Sequence, residues 1–141
     1  MANWMHSKAL VEFEAYLYNQ FKEDIEFVAI NPNSNKSYPD DSYEKMQDLV
    51  RKLNIPFPYL LDESQNVARA YAAQCTPDPY LFSTAEDREP RLYYHGRIND
   101  NWQRPEKVKK ESLKEALSLL VKNESSPGDV KPSMGCSIKW R

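Results

Sequence analysis

Nucleophilic and acid–base chemistry calls for cysteine, histidine or clustered carboxylates. This chain of 141 residues has only Cys75, Cys136, His6 and His95 of the first two types. Sixty residues separate the cysteines, so they form neither a Cys-x-x-Cys motif, nor a metal-ligand spacing, nor a disulfide framework. The two histidines are equally scattered, and the expectation is a protein without a metal or cofactor. Cys75 and Cys136 are thus single thiols to be weighed one by one, Cys75 first. As a functional thiol it would form a mixed disulfide or a sulfenic acid; as an isolated cysteine it would be a small, buried, inert side chain, the commoner state. Cys136 is expected to be a solvated or loosely packed thiol, with accidental oxidation or a tethering disulfide as its reactive alternatives. His95 ends the strand-like run Arg91-Leu92-Tyr93-Tyr94-His95, where a hydrogen-bonded structural histidine is expected rather than a general base. Asp40-Asp41 is a carboxylate pair, yet Asp41 is placed to cap a helix, a contribution of about 1 kcal/mol. Arg97, after Gly96, is expected to order the end of a hairpin, with anion binding as its functional alternative. Trp4, Trp102 and Trp140 are too scattered to build a stacking platform for bases.

Composition narrows the partners. A net charge of −2 gives no electrostatic reason to expect nucleic acid or an anionic membrane surface. The opening Met1-Ala2-Asn3-Trp4-Met5-His6 has no basic stretch followed by an apolar one, and no run is long enough to span a bilayer. A reducing cytoplasm is therefore the expected location, and the Asn123-Glu124-Ser125 sequon is expected to go unmodified. With 3 glycines and 10 prolines, turns must be built largely from Pro, Asn and Asp.

The elements follow from periodicity. Leu10, Phe13, Leu17 and Phe21 recur at helical steps over residues 7–22, with Val11 and Tyr18 widening the stripe. Ile25 to Ile30 is a short apolar run of the kind found in strands buried on both faces, stopped by the turn-forming Asn31-Pro32-Asn33-Ser34-Asn35. Asp41 with Glu44 three residues on resembles a capping box, and Met46, Leu49, Val50 and Leu53 make the apolar stripe of the helix that follows. Pro56 to Leu61 is extended, since both prolines disfavour helix before them. Asp62 and Gln65 repeat the capping pattern for a helix reaching about Ala73, with Val67, Ala70 and Tyr71 inward. Tyr80-Leu81-Phe82 and Arg91 to His95 predict an antiparallel hairpin. Leu113, Ala116, Leu117 and Leu120 predict a helix over residues 110–122. The predicted organisation is one domain over residues 1–122 and a tail over 123–141. Alternating strands and helices followed by a hairpin and a closing helix indicate a three-layer α/β/α arrangement.

At this point several motifs, in order, carry a resemblance. Phe27-Val28-Ala29-Ile30-Asn31, Tyr38-Pro39-Asp40-Asp41-Ser42, Phe57 to Gln65, Val67 to Tyr71, Cys75-Thr76-Pro77-Asp78-Pro79, Tyr94-His95-Gly96-Arg97-Ile98 and Gly135 to Trp140 resemble the thioredoxin-like members of the alkyl hydroperoxide reductase and thiol-specific antioxidant group. The match runs from about Ser7 to the C-terminus. It implies a thioredoxin-like fold, a thiol-disulfide oxidoreductase or antioxidant activity, and a protein thiol or peroxide as substrate. It also implies that Thr76-Pro77 is the substrate-facing loop with a cis proline. Complete members begin with a strand leading into a Cys-x-x-Cys turn at a helix N-terminus, which lowers the pKa of the attacking thiol. Aligned on Lys8-Ala9-Leu10, those cysteine positions fall near Met1 and Trp4. The chain is thus expected to lack both the first β-strand and the Cys-x-x-Cys site, and to be inactive as it stands.

The implied first strand is central to such a sheet. Its loss would leave backbone groups unpaired at roughly 1–3 kcal/mol each, against a domain stability of about 5–15 kcal/mol. Direct closure of the remaining strands, a strand donated by a second copy in a homo-oligomer, or a returning tail would each fill the gap. The simplest account is that these residues are part of a longer product. The alternatives to an oxidoreductase lacking its site are a non-catalytic protein-binding module and weak one-cysteine redox activity from Cys75.

Overall fold

The computed structural model describes residues 14–84 and 88–141. The chain divides into two compact units, one made of residues 1–74 with 137–141 and the other of residues 75–136.

In the first unit, helix α1 is described from residue 14 to 21. Leu17 and Phe21 point into the core as their spacing requires, while Leu10, Val11 and Phe13 lie outside the described residues. Tyr18 joins an aromatic cluster, with its ring 5.7 Å from Phe27 in edge-to-face contact and 5.8 Å from Phe57. Such pairs add to the area they bury. Strand β1 (Ala29–Asn31) runs parallel to β2 (Tyr59–Leu61), with Ala29 opposite Tyr59 and Asn31 opposite Leu61. The apolar run at 25–30 was expected to be buried on both faces. Instead Val28, Ile30 and their neighbour Leu60 remain exposed, because this pair of strands buries only one face.

Helix α2 (Tyr43–Leu53) packs against β2 and buries Met46. Its cap is Ser42, whose hydroxyl accepts from the Lys45 backbone N–H at 3.4 Å. Asp41, the expected cap, belongs instead to the short 3-10 turn Pro39–Asp41. Pro39 and Ser42, on either side of this carboxylate pair, bound a tight turn that shifts the helix start by one residue. Helix α3 (Asn66–Ala70) is shorter than expected and presents a different face. Ala68 is buried, whereas Val67 and Tyr71 are exposed. The reason lies at its head: Gln65 adopts a left-handed conformation (φ 63°) and turns its side chain into the core. The N-cap is Gln65 and not Asp62, although Asp62 Oδ2 still accepts from the Ala68 N–H in the first turn at 2.8 Å.

In the second unit, β3 (Cys75–Thr76) leads into the predicted hairpin, β4 (Tyr80–Thr84) and β5 (Pro90–His95), which pair antiparallel with an irregularity between Leu81 and Phe82. Helix α4 (Ser112–Val121) packs on β5 through Leu113, Ala116 and Leu117, the buried positions of the predicted stripe. Leu81, Tyr94 and Ile98 complete this core. Arg97 holds the end of the hairpin, as expected: its N–H donates to Lys131 O at 3.1 Å and its Nε to Pro132 O at 3.2 Å. Gly96 has no room for a side chain, since a Cβ would stand 2.7 Å from Lys131 O. A last strand, β6 (Cys136–Ser137), pairs with β3; neither was predicted, because two-residue strands have no periodicity to read.

Candidate functional site at the Cys75–Asp78 turn

The candidate residues Cys75, Thr76 and Pro77 lie together where β3 ends. The Thr76–Pro77 peptide bond is cis. The residue before proline is driven toward extended backbone, which suits its place at the end of a strand. Gly135 passes so close that a Cβ there would overlap the Thr76 carbonyl and reach within 3.0 Å of Pro77 N. Only glycine allows this approach.

Cys75 is half-buried and in no disulfide, and its thiol directs its hydrogen toward Pro77 O at 3.5 Å. Burial raises its pKa above the ordinary thiol value, and the Asp78 carboxylate and Cys136 add to that rise. Every one of these influences disfavours the thiolate, the opposite of what a helix N-terminus or a neighbouring cation does for a nucleophile.

Asp78 organises the rest. Its side chain is only 4 % exposed, and Oδ1 faces His95 Nε2 at 2.6 Å. Ser133 Oγ donates to the same oxygen at 2.6 Å, and the Tyr80 hydroxyl donates to Oδ2 at 3.2 Å. The Tyr80 ring stacks on the imidazole with centroids 4.0 Å apart. A carboxylate can only accept, so Nε2 carries the hydrogen of this bond. His95 is therefore the hydrogen-bonded histidine that its strand position predicted. The sequence reading passed over Asp78, Tyr80 and Ser133. Tyr80 and Asp78 are separated by one residue, but Ser133 is 55 positions away, a separation with no local signal.

His6 and Trp4 lie outside the described residues. Asp41 is drawn into the first unit, where burial raises its pKa while a hydrogen bond from the Asn33 side chain and the charge of Lys139 act the other way. Among the described residues no group of three or more His, Cys, Asp or Glu side chains is arranged to hold a metal ion. No helix among them is long and apolar enough to cross a membrane.

The fold has counterparts in known proteins. The profile of the AhpC/TSA family matches residues 7–91. An uncharacterized conserved protein from Geobacillus kaustophilus is 43% identical and superposes with a TM-score of 0.79 over 90% of this chain and 66% of its own. A hypothetical protein from Sinorhizobium meliloti 1021 is 35% identical, with a TM-score of 0.82 over 94% of this chain and 71% of its own. The chain thus spans about two thirds of the length of these structures. No curated protein matches it. The chain belongs to the AhpC/TSA family and has its thioredoxin-like α/β fold.

Proposed function

We propose that these residues form a thiol-oxidoreductase-type domain that does not itself run the family's cysteine chemistry, and that it engages extended protein thiol substrates at the Thr76–Pro77 turn. The observation that carries the reading is the state of its cysteines. No Cys-x-x-Cys occurs among the 141 residues, and Cys75, the thiol that adjoins the turn in sequence, is held away from the thiolate form by burial, with Asp78 and Cys136 adding to it. A peroxide or a disulfide is attacked by a thiolate, and attack slows as that fraction shrinks. A positioned base could compensate; His95 Nε2 donates to Asp78 and leaves Nδ1 as the basic nitrogen, but the Cys75 thiol directs its hydrogen to Pro77 O and not to that imidazole.

The test is peroxide consumption and insulin-disulfide reduction by the reduced chain with excess dithiol. The expected result is no turnover above that of the dithiol alone, with the Cys75→Ser variant indistinguishable from the parent. Turnover that disappears in Cys75→Ser would establish a one-cysteine enzyme and overturn the reading.

A further inference from the structure

In the first unit the last four residues, Ile138 to Arg141, lie against residues 31–38 and 62–69 in a manner characteristic of a bound peptide. Ile138 is 5 % exposed. Beyond it, side-chain amides grip the backbone. Lys139 N–H donates to Asn33 Oδ1 at 2.9 Å, and Asn35 Nδ2 donates to Trp140 O at 2.7 Å. Gln65 makes both halves of a ladder step: its Nε2 donates to Lys139 O at 3.0 Å and its Oε1 accepts from Arg141 N–H at 3.2 Å. Three further contacts read side chains. Lys139 Nζ stands 5.5 Å from the Tyr38 ring, the Arg69 guanidinium lies 5.2 Å from the Trp140 ring, and the Arg141 guanidinium donates to Ser34 Oγ and to Glu63 O.

The gripping groups are held by bonds that do not involve the tail. Gln65, with no exposed surface, also donates to Pro32 O at 2.9 Å. Asn33 is set by its own N–H on Asn31 Oδ1 at 2.9 Å, and Asn31 in turn donates to Asp41 O at 3.0 Å. Asn35 is set in the same way, its Oδ1 accepting from Ser37 N–H at 2.9 Å. Positions 31, 33 and 35 are all asparagine, in the run that breaks β1. A site organised before its ligand arrives loses less entropy on binding.

We infer that residues 31–69 form a recognition site for an extended peptide of the type apolar–Lys–Trp–Arg, occupied in cis by the chain's own end and able to take such a peptide in trans. Amide side chains would read the peptide backbone, and Tyr38, Arg69 and Ser34 would select the cationic and aromatic side chains. The site is independent of the thiol reading above.

A tethered tail competes at an effective concentration on the order of millimolar, so the test uses the full-length chain with its tail weakened by Trp140→Ala. The 15N-labelled variant is titrated with unlabelled Ser-Ile-Lys-Trp-Arg and followed by NMR. Saturable shifts of the Asn33, Asn35 and Gln65 side-chain amides are expected. Binding is expected to be at least ~10-fold weaker for the parent chain and similarly weaker for a peptide with alanine in place of its Trp and Arg. A folded Trp140→Ala chain without saturable shifts up to about millimolar peptide would overturn the inference, as would shifts indifferent to the peptide's Trp and Arg. Arg141→Ala serves as the second weakened chain. If both variants unfold, the tail is part of the core and not a ligand, and the inference fails.

Discussion

At the scale of single residues, Cys75 and Asp78 set the chemistry of the cis-proline turn. Asp78 accepts from His95, Ser133 and Tyr80 and is nearly out of contact with solvent. Its charge is thereby fixed beside Cys75, where it adds to the larger effect of burial in keeping the thiol protonated. Asp78→Asn keeps the shape and removes the charge. Alkylation of Cys75 by iodoacetamide at neutral pH, followed by mass spectrometry, is expected to be slow in the parent and several-fold faster in Asp78→Asn. The acceleration will fall short of that of an exposed thiol, because burial remains. Equal rates in the two chains would show that the carboxylate does not reach the sulfur electrostatically.

At the scale of elements, the helices divide into those the sequence placed and those it placed only approximately. The α4 stripe of Leu113, Ala116 and Leu117 was legible because burial on one face repeats at helical spacing. Leu117 is almost entirely buried, so Leu117→Ala is expected to cost about 2–5 kcal/mol in chemical denaturation. The start of α2 was misread by one residue. Asp41 and Ser42 are both good caps, and only the 3-10 turn at Pro39–Asp41 selects Ser42. At 3.4 Å the Ser42 bond is long, so Ser42→Ala is expected at the low end of the usual range, roughly 0.5 kcal/mol. Gly135→Ala should cost more, about 1–3 kcal/mol as for other overpacked sites, since the new methyl meets rigid backbone at Thr76. A thermal shift no larger than that of an exposed Gly128→Ala control would contradict the close approach.

At the scale of the whole molecule, stability against pH reports on Glu14. This residue is half-buried overall, but its carboxyl end sits in surroundings that push its pKa up to about 7 through desolvation. The unfolded chain releases that proton near the ordinary value of 4.5. Between the two the folded state holds more protons, so stability is greatest below the unfolded value and falls as pH rises toward 7. Glu14→Gln removes the dependence: urea titrations of the variant should give a flatter profile across that window and a more stable protein at pH ~8. The nearby Tyr59 hydroxyl, raised to about 12 mainly by burial, stays neutral throughout. The exposed ion pairs, such as Arg51 with Asp48 at 3.6 Å, contribute little by comparison.

The sequence by itself determined the order of the longer elements, the hairpin, the α2 and α4 stripes and the family, because each is written in short-range periodicity or in contiguous motifs. Only the tertiary structure decided what the polar residues do. Gln65 stands three residues after Asp62, a spacing that reads as a capping box, yet its amide is spent on Pro32, Lys139 and Arg141. The run from Asn31 to Asn35 reads as a strand breaker, yet its side chains hold a segment more than 100 positions away. The spacing of the cysteines says nothing of what raises the Cys75 pKa, which is burial beside a carboxylate bonded to a histidine 17 residues distant from it, and that surrounding came from folding. A hydrogen bond between distant residues leaves no period in the sequence. Burial is what gives such a bond its value, and burial exists only once the chain has folded.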